Sequence, residues 1–427
     1  MKKIMKKFGT IVMLSVLVWS CSKDDGPTPP KNTAPTISAQ EFTVDEDIDD
    51  TEVIGAVKAS DKEKDALTFS IKTNANNLFE ITAAGDLSLA AGKALDFEAV
   101  TQHVVTVQVS DGDKSATATV TIKVNDVDES LAADPASFIT TWKTTAANEE
   151  IVIATDNSLV YDYAIDWGDG TEENITSGTS PTHVYASAGT YTVAIKGVFP
   201  RINMISEDGY AVKLMSIEQW GAISWESMNG AFGYCANMVH NATDVPDLSK
   251  VTDMSNIFYE CAAFNGEIGN WNTSVVNNME GMFFGATTFN SAIGNWDTSN
   301  VTSMFNMFYG AQSFNQPLGD WDTSNVTSMV GMFKDAAAFN QNLGGWELNS
   351  ITSMNNMFDN SGMNALNYSS TLRGWGGQGN VFIPDGITLG AIGINFCNDE
   401  DTTYFHDTVL ITQNGWTIND EGAVACQ

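Results

Sequence analysis

The chain has 427 residues, 43% of them hydrophobic, and carries 53 Asp and Glu against 20 Lys and Arg, a formal net charge of −33. That length exceeds one ordinary core, so several folded units are expected. The charge disfavours a nucleic-acid backbone or an anionic membrane face and favours cations as partners, with most of the acids read as solvated surface.

The first element is an address. Lys2, Lys3, Lys6 and Lys7 precede an apolar run from Ile11 to Trp19 that ends at Ser20 and Cys21, and the run is too short to span a bilayer, as in a signal peptide over residues 1–20. "LVWSC" resembles a bacterial lipobox, and the following "SKDDG" resembles the acidic tag that sends lipoproteins to the outer surface of some Gram-negative cells. The resemblance implies lipidation of Cys21 and a lipid anchor in the outer membrane. Ordinary secretion, with Cys21 incidental, is the alternative. Residues 21–33 are polar, include Pro27, Pro29 and Pro30, and read as an extended tether.

Residues 34–130 contain short alternating runs such as "LTFSI" and "HVVTVQV" between Gly and Asp turns, the pattern of a β-sandwich. "VDED" at Val44, "ASDKEKDALTFSI" at Ala59, "LDFE" at Leu95, "VQVSDG" at Val107 and "VTIKVNDVDE" at Val120 resemble a cadherin domain in order and spacing. In that family such acids hold calcium where one domain meets the next, and a hard cation needs several oxygen ligands. The resemblance implies a C-terminal cluster of Glu46, Asp96, Glu98, Asp126 and Asp128, and an N-terminal cluster of Asp61, Glu63 and Asp111. Glu63 stands where the family usually has Asp, and only one such domain is visible. Acids lining two solvated ends are the alternative.

Residues 135–200 are again strand-like, with a tight-turn signal at Asp169-Gly170. "WGDGT" at Trp167 and "HVYASAGTYTV" at His183 resemble the PKD domain, a small immunoglobulin-like sandwich. His183 reads as a structural histidine.

From residue 246 to 362 the chain repeats itself. "WDTSNVTSM" occurs unchanged at Trp296 and Trp321; Met recurs at 254, 279, 304, 329 and 354, Phe at 258, 283, 308, 333 and 358, and Asn at 265, 290, 315 and 340. A fixed period of 25 residues identifies units that stack because none buries its apolar face alone. Met304, Met307, Phe308 and Ala311 sit at i, i+3, i+4 and i+7, which predicts a short helix, and Pro317 and Gly319 predict an extended return. The recurring Asn is expected to bond the backbone of the turn, rung after rung. The "FN…W…SNVTSM…MF" unit resembles BspA-type leucine-rich-repeat surface proteins, which implies an α/β solenoid with a cap and first unit over 201–245, a C-terminal cap over 363–427, and a cell-surface binding scaffold. The fold class is thus multidomain: two all-β sandwiches followed by a leucine-rich-repeat solenoid.

Cys235 and Cys261, about one pitch apart, read as stacked buried thiols; Cys397 and Cys426, in the cap, are expected to pair as a disulfide. His103, His183, His240 and His406 are far apart, and no HExxH, nucleophile elbow or phosphate loop is present. The sequence therefore predicts a surface-anchored adhesin whose partner is a protein or cell-surface ligand, with calcium as its ion and no nucleic acid. A glycan-binding accessory lipoprotein of a nutrient-capture system is the second reading. It needs a row of exposed aromatics, and the candidates Tyr309 and Phe305 are matched by Phe284 and Glu280 in one neighbour and by Lys334 and Val330 in the other, a broken row.

Overall fold

In a computed structural model the described residues are 31–377 and 382–426; the signal run and Cys21 lie outside them. The chain forms two compact units that meet in sequence at Asp128 and Glu129.

The first unit is a β-sandwich. Gln102–Ser110 and Ser115–Asn125 form an antiparallel pair in which Val105 faces Val120 and His103 faces Ile122. Strand Gln40–Asp45 joins in parallel along Ser115–Asn125, and Thr68–Thr73 joins antiparallel along Gln102–Ser110. A second sheet runs in the order Val53–Ala56, Asp86–Leu89, Phe79–Ile81. Alternation of side chains across each strand points Val105, Val107, Val120 and Ile122 inward to meet Leu87 and Leu89.

The second unit begins as another sandwich and does not end as one. Its main sheet runs in the order Glu172–Ile175, Asp162–Asp166, Gly189–Val198, Phe138–Thr144, Leu214–Gln219, Val239–His240, and Glu149–Val152 pairs with Thr182–Tyr185 in a separate sheet. Every pairing in the main sheet is antiparallel except the last, where Ser216 and Ile217 meet Val239 and His240 in parallel. That parallel step starts the stack of repeats: single parallel bridges continue from Asp253 to Asn278, Ser303, Ser328 and Ser353, and from Met354 to Leu389. One apolar cluster accordingly runs without a break from Phe138 and Trp142 through every repeat to Trp416. The change near residue 200 marks no gap in the core.

The short helix expected in each repeat is absent; Met304 to Gly310 is a ribbon of successive turns. Asn306 (φ 53°) and Gly310 (φ 68°) occupy left-handed backbone, which a right-handed helix cannot absorb. The amides of Met304, Asn306, Phe308 and Gly310 donate to the carbonyls of Ser328, Val330, Met332 and Lys334 in the next repeat, while those of Met307, Tyr309 and Ala311 donate three residues back within their own turn. The ribbon puts the same residues on the inner side as a helix would, which is why the i, i+3, i+4, i+7 stripe is present. Asn256, Gly281, Asn306, Gly331 and Asn356 all take this left-handed conformation. Asn and Gly alternate there because a side chain at Gly281 or Gly331 would overlap Oδ1 of Asn256 or Asn306 in the turn before.

Inside, identical residues form columns. The rings of Phe258, Phe283, Phe308, Phe333 and Phe358 stack with centroids 5.5–5.9 Å apart. Each of Trp296, Trp321, Trp346 and Trp375 is buried and donates Nε1–H to a carbonyl of the preceding turn, at Ile268, Ile293, Leu318 and Leu343. Asn265, Asn290 and Asn315 each accept, through Oδ1, the amide of the next Asn at 2.7–2.9 Å, and Asn340 accepts that of Asn364. These bonds satisfy backbone groups that the bends would otherwise leave open.

The last repeat is covered by helix Ala365–Gly377 and by two short parallel pairs, Thr388–Gly390 with Thr417–Asn419 and Phe396–Cys397 with Ala423–Val424. Cys397 and Cys426 are joined by a disulfide with Cα atoms 5.3 Å apart. Cys235 and Cys261 are free and buried, and burial pushes both thiols above their ordinary range.

Candidate functional site

The two acid-lined ends of the first sandwich differ in geometry. At one end, Glu46, Asp96 and Glu98 bring one carboxylate oxygen each to within 4.8 Å of one another. Strand Gln40–Asp45 delivers Glu46 to this end, and Glu46 is only 4% exposed. Its carboxylate is fixed from two directions: Oε2 accepts the amide of Phe97 at 2.6 Å and Oε1 that of Val127 at 2.9 Å. A buried carboxyl group is thus held in place beside two exposed acids. Asp96 caps its own turn by accepting the Ala99 amide at 2.7 Å. Asp126 and Asp128, exposed beyond Ser115–Asn125, are not members of this group of three.

At the other end Asp61, Glu63 and Asp111 do not form such a group among the described residues, and the segment before the first strand lies across them. Thr33 donates its amide and hydroxyl to Glu63 Oε2, at 3.2 and 2.7 Å. Asn32 donates to Asp111 Oδ2 at 3.2 Å, and the Asp111 Oδ1 accepts the amides of Asp113 and Lys114. These bonds hold both acids below their ordinary range: the Lys114 amide is the largest influence on Asp111, and the Thr33 hydroxyl on Glu63. Asn32 Oδ1 and Asp61 Oδ2 are buried oxygens with no hydrogen-bond donor. An unfilled amide oxygen and an unfilled carboxylate oxygen at this end, and three converging carboxylates at the other, are hard oxygen donors of the kind that calcium takes.

His183 has a structural setting. Nε2 lies 2.8 Å from Asp169 Oδ2, and the ring stacks on Trp167 at 5.0 Å.

Two features go beyond the sequence reading. The first is a row on the outer side of the repeat ribbon, where Tyr259, Phe284 and Tyr309 stack at 4.6 Å with planes 12° and 9° apart. Tyr234 packs edge-on against Tyr259, and the Lys334 ammonium lies 5.4 Å from the Tyr309 centroid. The sequence reading matched Tyr309 with Phe284 and stopped at Lys334 on the other side; following the same position back to Tyr259 completes the row. Its ring faces are occupied by neighbouring rings and by Lys334, so what it offers outward are ring edges, and stacking on a sugar ring needs a face. The second is buried His406, whose Nε2 lies 3.2 Å from Asp420 Oδ2 and whose Nδ1 lies 2.5 Å from Asp407 Oδ1; Tyr368 donates to the same Asp420 oxygen.

Comparison with known proteins divides along the same lines. The cadherin domain family matches residues 40–125 and the PKD domain family matches residues 143–198. The chain carries a cadherin domain and a PKD domain. Residues 226–320 and 292–376 match a family described as Mycoplasma protein of unknown function, DUF285. Among solved structures the chain is similar to human mucin-like protocadherin EC1-2, at 23% identity over 23% of this chain and 55% of that one, with a TM-score of 0.21. It is also similar to chicken VE-cadherin EC1-2, at 24% identity over 22% and 51%, with a TM-score of 0.20. The chain thus spans about half the length of these cadherin fragments. No curated protein matches it. No described helix is long and apolar enough to cross a membrane.

Proposed function

We propose that this chain is a surface-anchored adhesion and binding scaffold, held by a lipid on Cys21 in the outer membrane, with calcium bound by its cadherin domain. The observation that carries the reading is the cadherin domain over residues 40–125, a module of extracellular adhesion. The acid group of Glu46, Asp96 and Glu98 supports calcium at one end, and the unfilled oxygens of Asn32 and Asp61 support it at the other. The repeats are read as a BspA-type leucine-rich solenoid in which a turn ribbon stands in place of helix, and whose open flank meets a protein or cell-surface ligand. The glycan-binding alternative is weakened by the closed ring faces of the Tyr259 row.

Adhesion is tested by coating beads with the full chain and scoring attachment to cells and matrix with calcium or with chelator; uniform failure to attach would remove the reading. Calcium titration of the full chain by calorimetry is expected to give heat that Glu46→Gln removes, because the charge is lost and one of the Phe97 and Val127 amides loses its acceptor. An unaltered isotherm would exclude the Glu46 end. Metabolic labelling with a fatty-acid analogue should mark the chain and not its Cys21→Ser variant.

A further inference from the structure

Beside the stacked rings, the outer side of the ribbon encloses a groove of about 240 Å³. That is below the roughly 300–1,000 Å³ of small-molecule sites and suits one long side chain. Its lining includes the rings of Tyr259, Phe284 and Phe305 together with Gly281, Glu280 and Asn256. No ion pair or hydrogen bond among the described residues engages the Glu280 carboxylate. The groove thus joins an apolar slot to an unneutralised negative charge.

Two further observations indicate what fits it. Residues 226–376 hold 13 Asp and Glu against 3 Lys and Arg, so the surrounding field attracts cations. At the end of the same ring row the chain places its own lysine, with the Lys334 ammonium 5.4 Å from the Tyr309 centroid. A lysine or arginine side chain has the matching division: an apolar stem that packs on rings and a charged head that seeks a carboxylate.

We propose that this groove receives a lysine or arginine side chain of a basic protein partner, the stem lying along the ring edges of Tyr259 and Phe284 and against Phe305, and the head meeting Glu280. The proposal rests on the adhesive reading and names the chemistry of its partner.

The test is fluorescence anisotropy with the full chain and a labelled (Gly-Arg)₄ peptide at about 150 mM salt, with a (Gly-citrulline)₄ peptide as the uncharged counterpart. Glu280→Gln and Phe284→Ala are each expected to weaken arginine-peptide binding roughly fivefold, the scale of a contact at a partly exposed site. Asp320→Asn, an exposed acid outside the groove, removes the same charge as Glu280→Gln and is expected to change binding by less than about 1.5-fold. Equal effects from Glu280→Gln and Asp320→Asn, or equal binding of the arginine and citrulline peptides, would overturn the proposal by leaving only net-charge attraction or none. If Phe284→Ala does not fold, the near-isosteric Glu280→Gln still decides. Cell attachment that Glu280→Gln leaves intact would overturn the groove and spare the adhesive reading; where the chain attaches to nothing, that reading falls and the peptide measurement alone judges the groove.

Discussion

The cadherin sandwich closes its core between two sheets, around residues such as Leu87, Val107 and Ile122, whereas the core of the second unit passes from Phe138 to Trp416 and is closed only at its two ends. In the sandwich every strand protects every other. In the stack each turn is protected by the turn before and the turn after, so stability depends on neighbours and on the ends. The PKD sandwich is one of those ends: strand Leu214–Gln219 pairs with Phe138–Thr144 on one side and with the first parallel bridge on the other.

The largest expected effect comes from removing the other end. A chain ending after Gly362 loses helix Ala365–Gly377 and the parallel pairs, which uncovers Met354, Met357 and Phe358. Cooperative unfolding of the second unit should disappear, and limited proteolysis should cut within the repeats while the cadherin domain survives. Next, Trp321→Ala removes a buried indole and its bond to Ile293 and should cost about 3–5 kcal/mol in denaturant unfolding. Leu87→Ala should lower only the cadherin transition. If both substitutions shifted one common transition, the contrast between the units would be wrong.

Reduction of Cys397–Cys426 opens a loop with a sequence separation of 29 and should lower the second-unit stability by roughly 3–4 kcal/mol, read as a fall in melting temperature that the cadherin domain does not share. The smallest effect is a pH dependence confined to the cap. Burial lowers the His406 pKa, but hydrogen bonds and charge from Asp420 and Asp407 outweigh it and leave the value raised above 6.5. A raised histidine contributes stability that is fully present below its unfolded value and lost as pH rises through the folded one. The second-unit melting temperature should therefore fall as pH climbs from below 6.5, and His406→Gln should flatten that slope.

Much of this was legible in the sequence because periodic burial leaves periodic residues. The columns of Trp296, Phe308 and Met304 stand at the spacing their stacking requires, and the Asn265 ladder is where it was expected. The helix was misread because a turn ribbon and a helix place Met304, Met307, Phe308 and Ala311 on the same side. The corrective signal was available in the Asn and Gly at 256, 281, 306 and 331, residues that accept left-handed backbone. The acid groups followed from motif spacing, yet which acids converge did not. Glu46 reaches Asp96 because the amides of Phe97 and Val127 hold it, and pairing across 51 and 81 residues leaves no local mark. The ring row was read as broken because its column was compared only with Phe284 and Lys334 and not followed back to Tyr259.

The alternation of Asn and Gly down the left-handed column has a bearing on how such a chain can change length. Because the Asn of one turn lies over the Gly of the next, a lone extra copy would bring two Asn, or two Gly, into succession and leave a collision or a void. Copies gained or lost in pairs keep the alternation, so the reach of this flank is expected to vary by doublets.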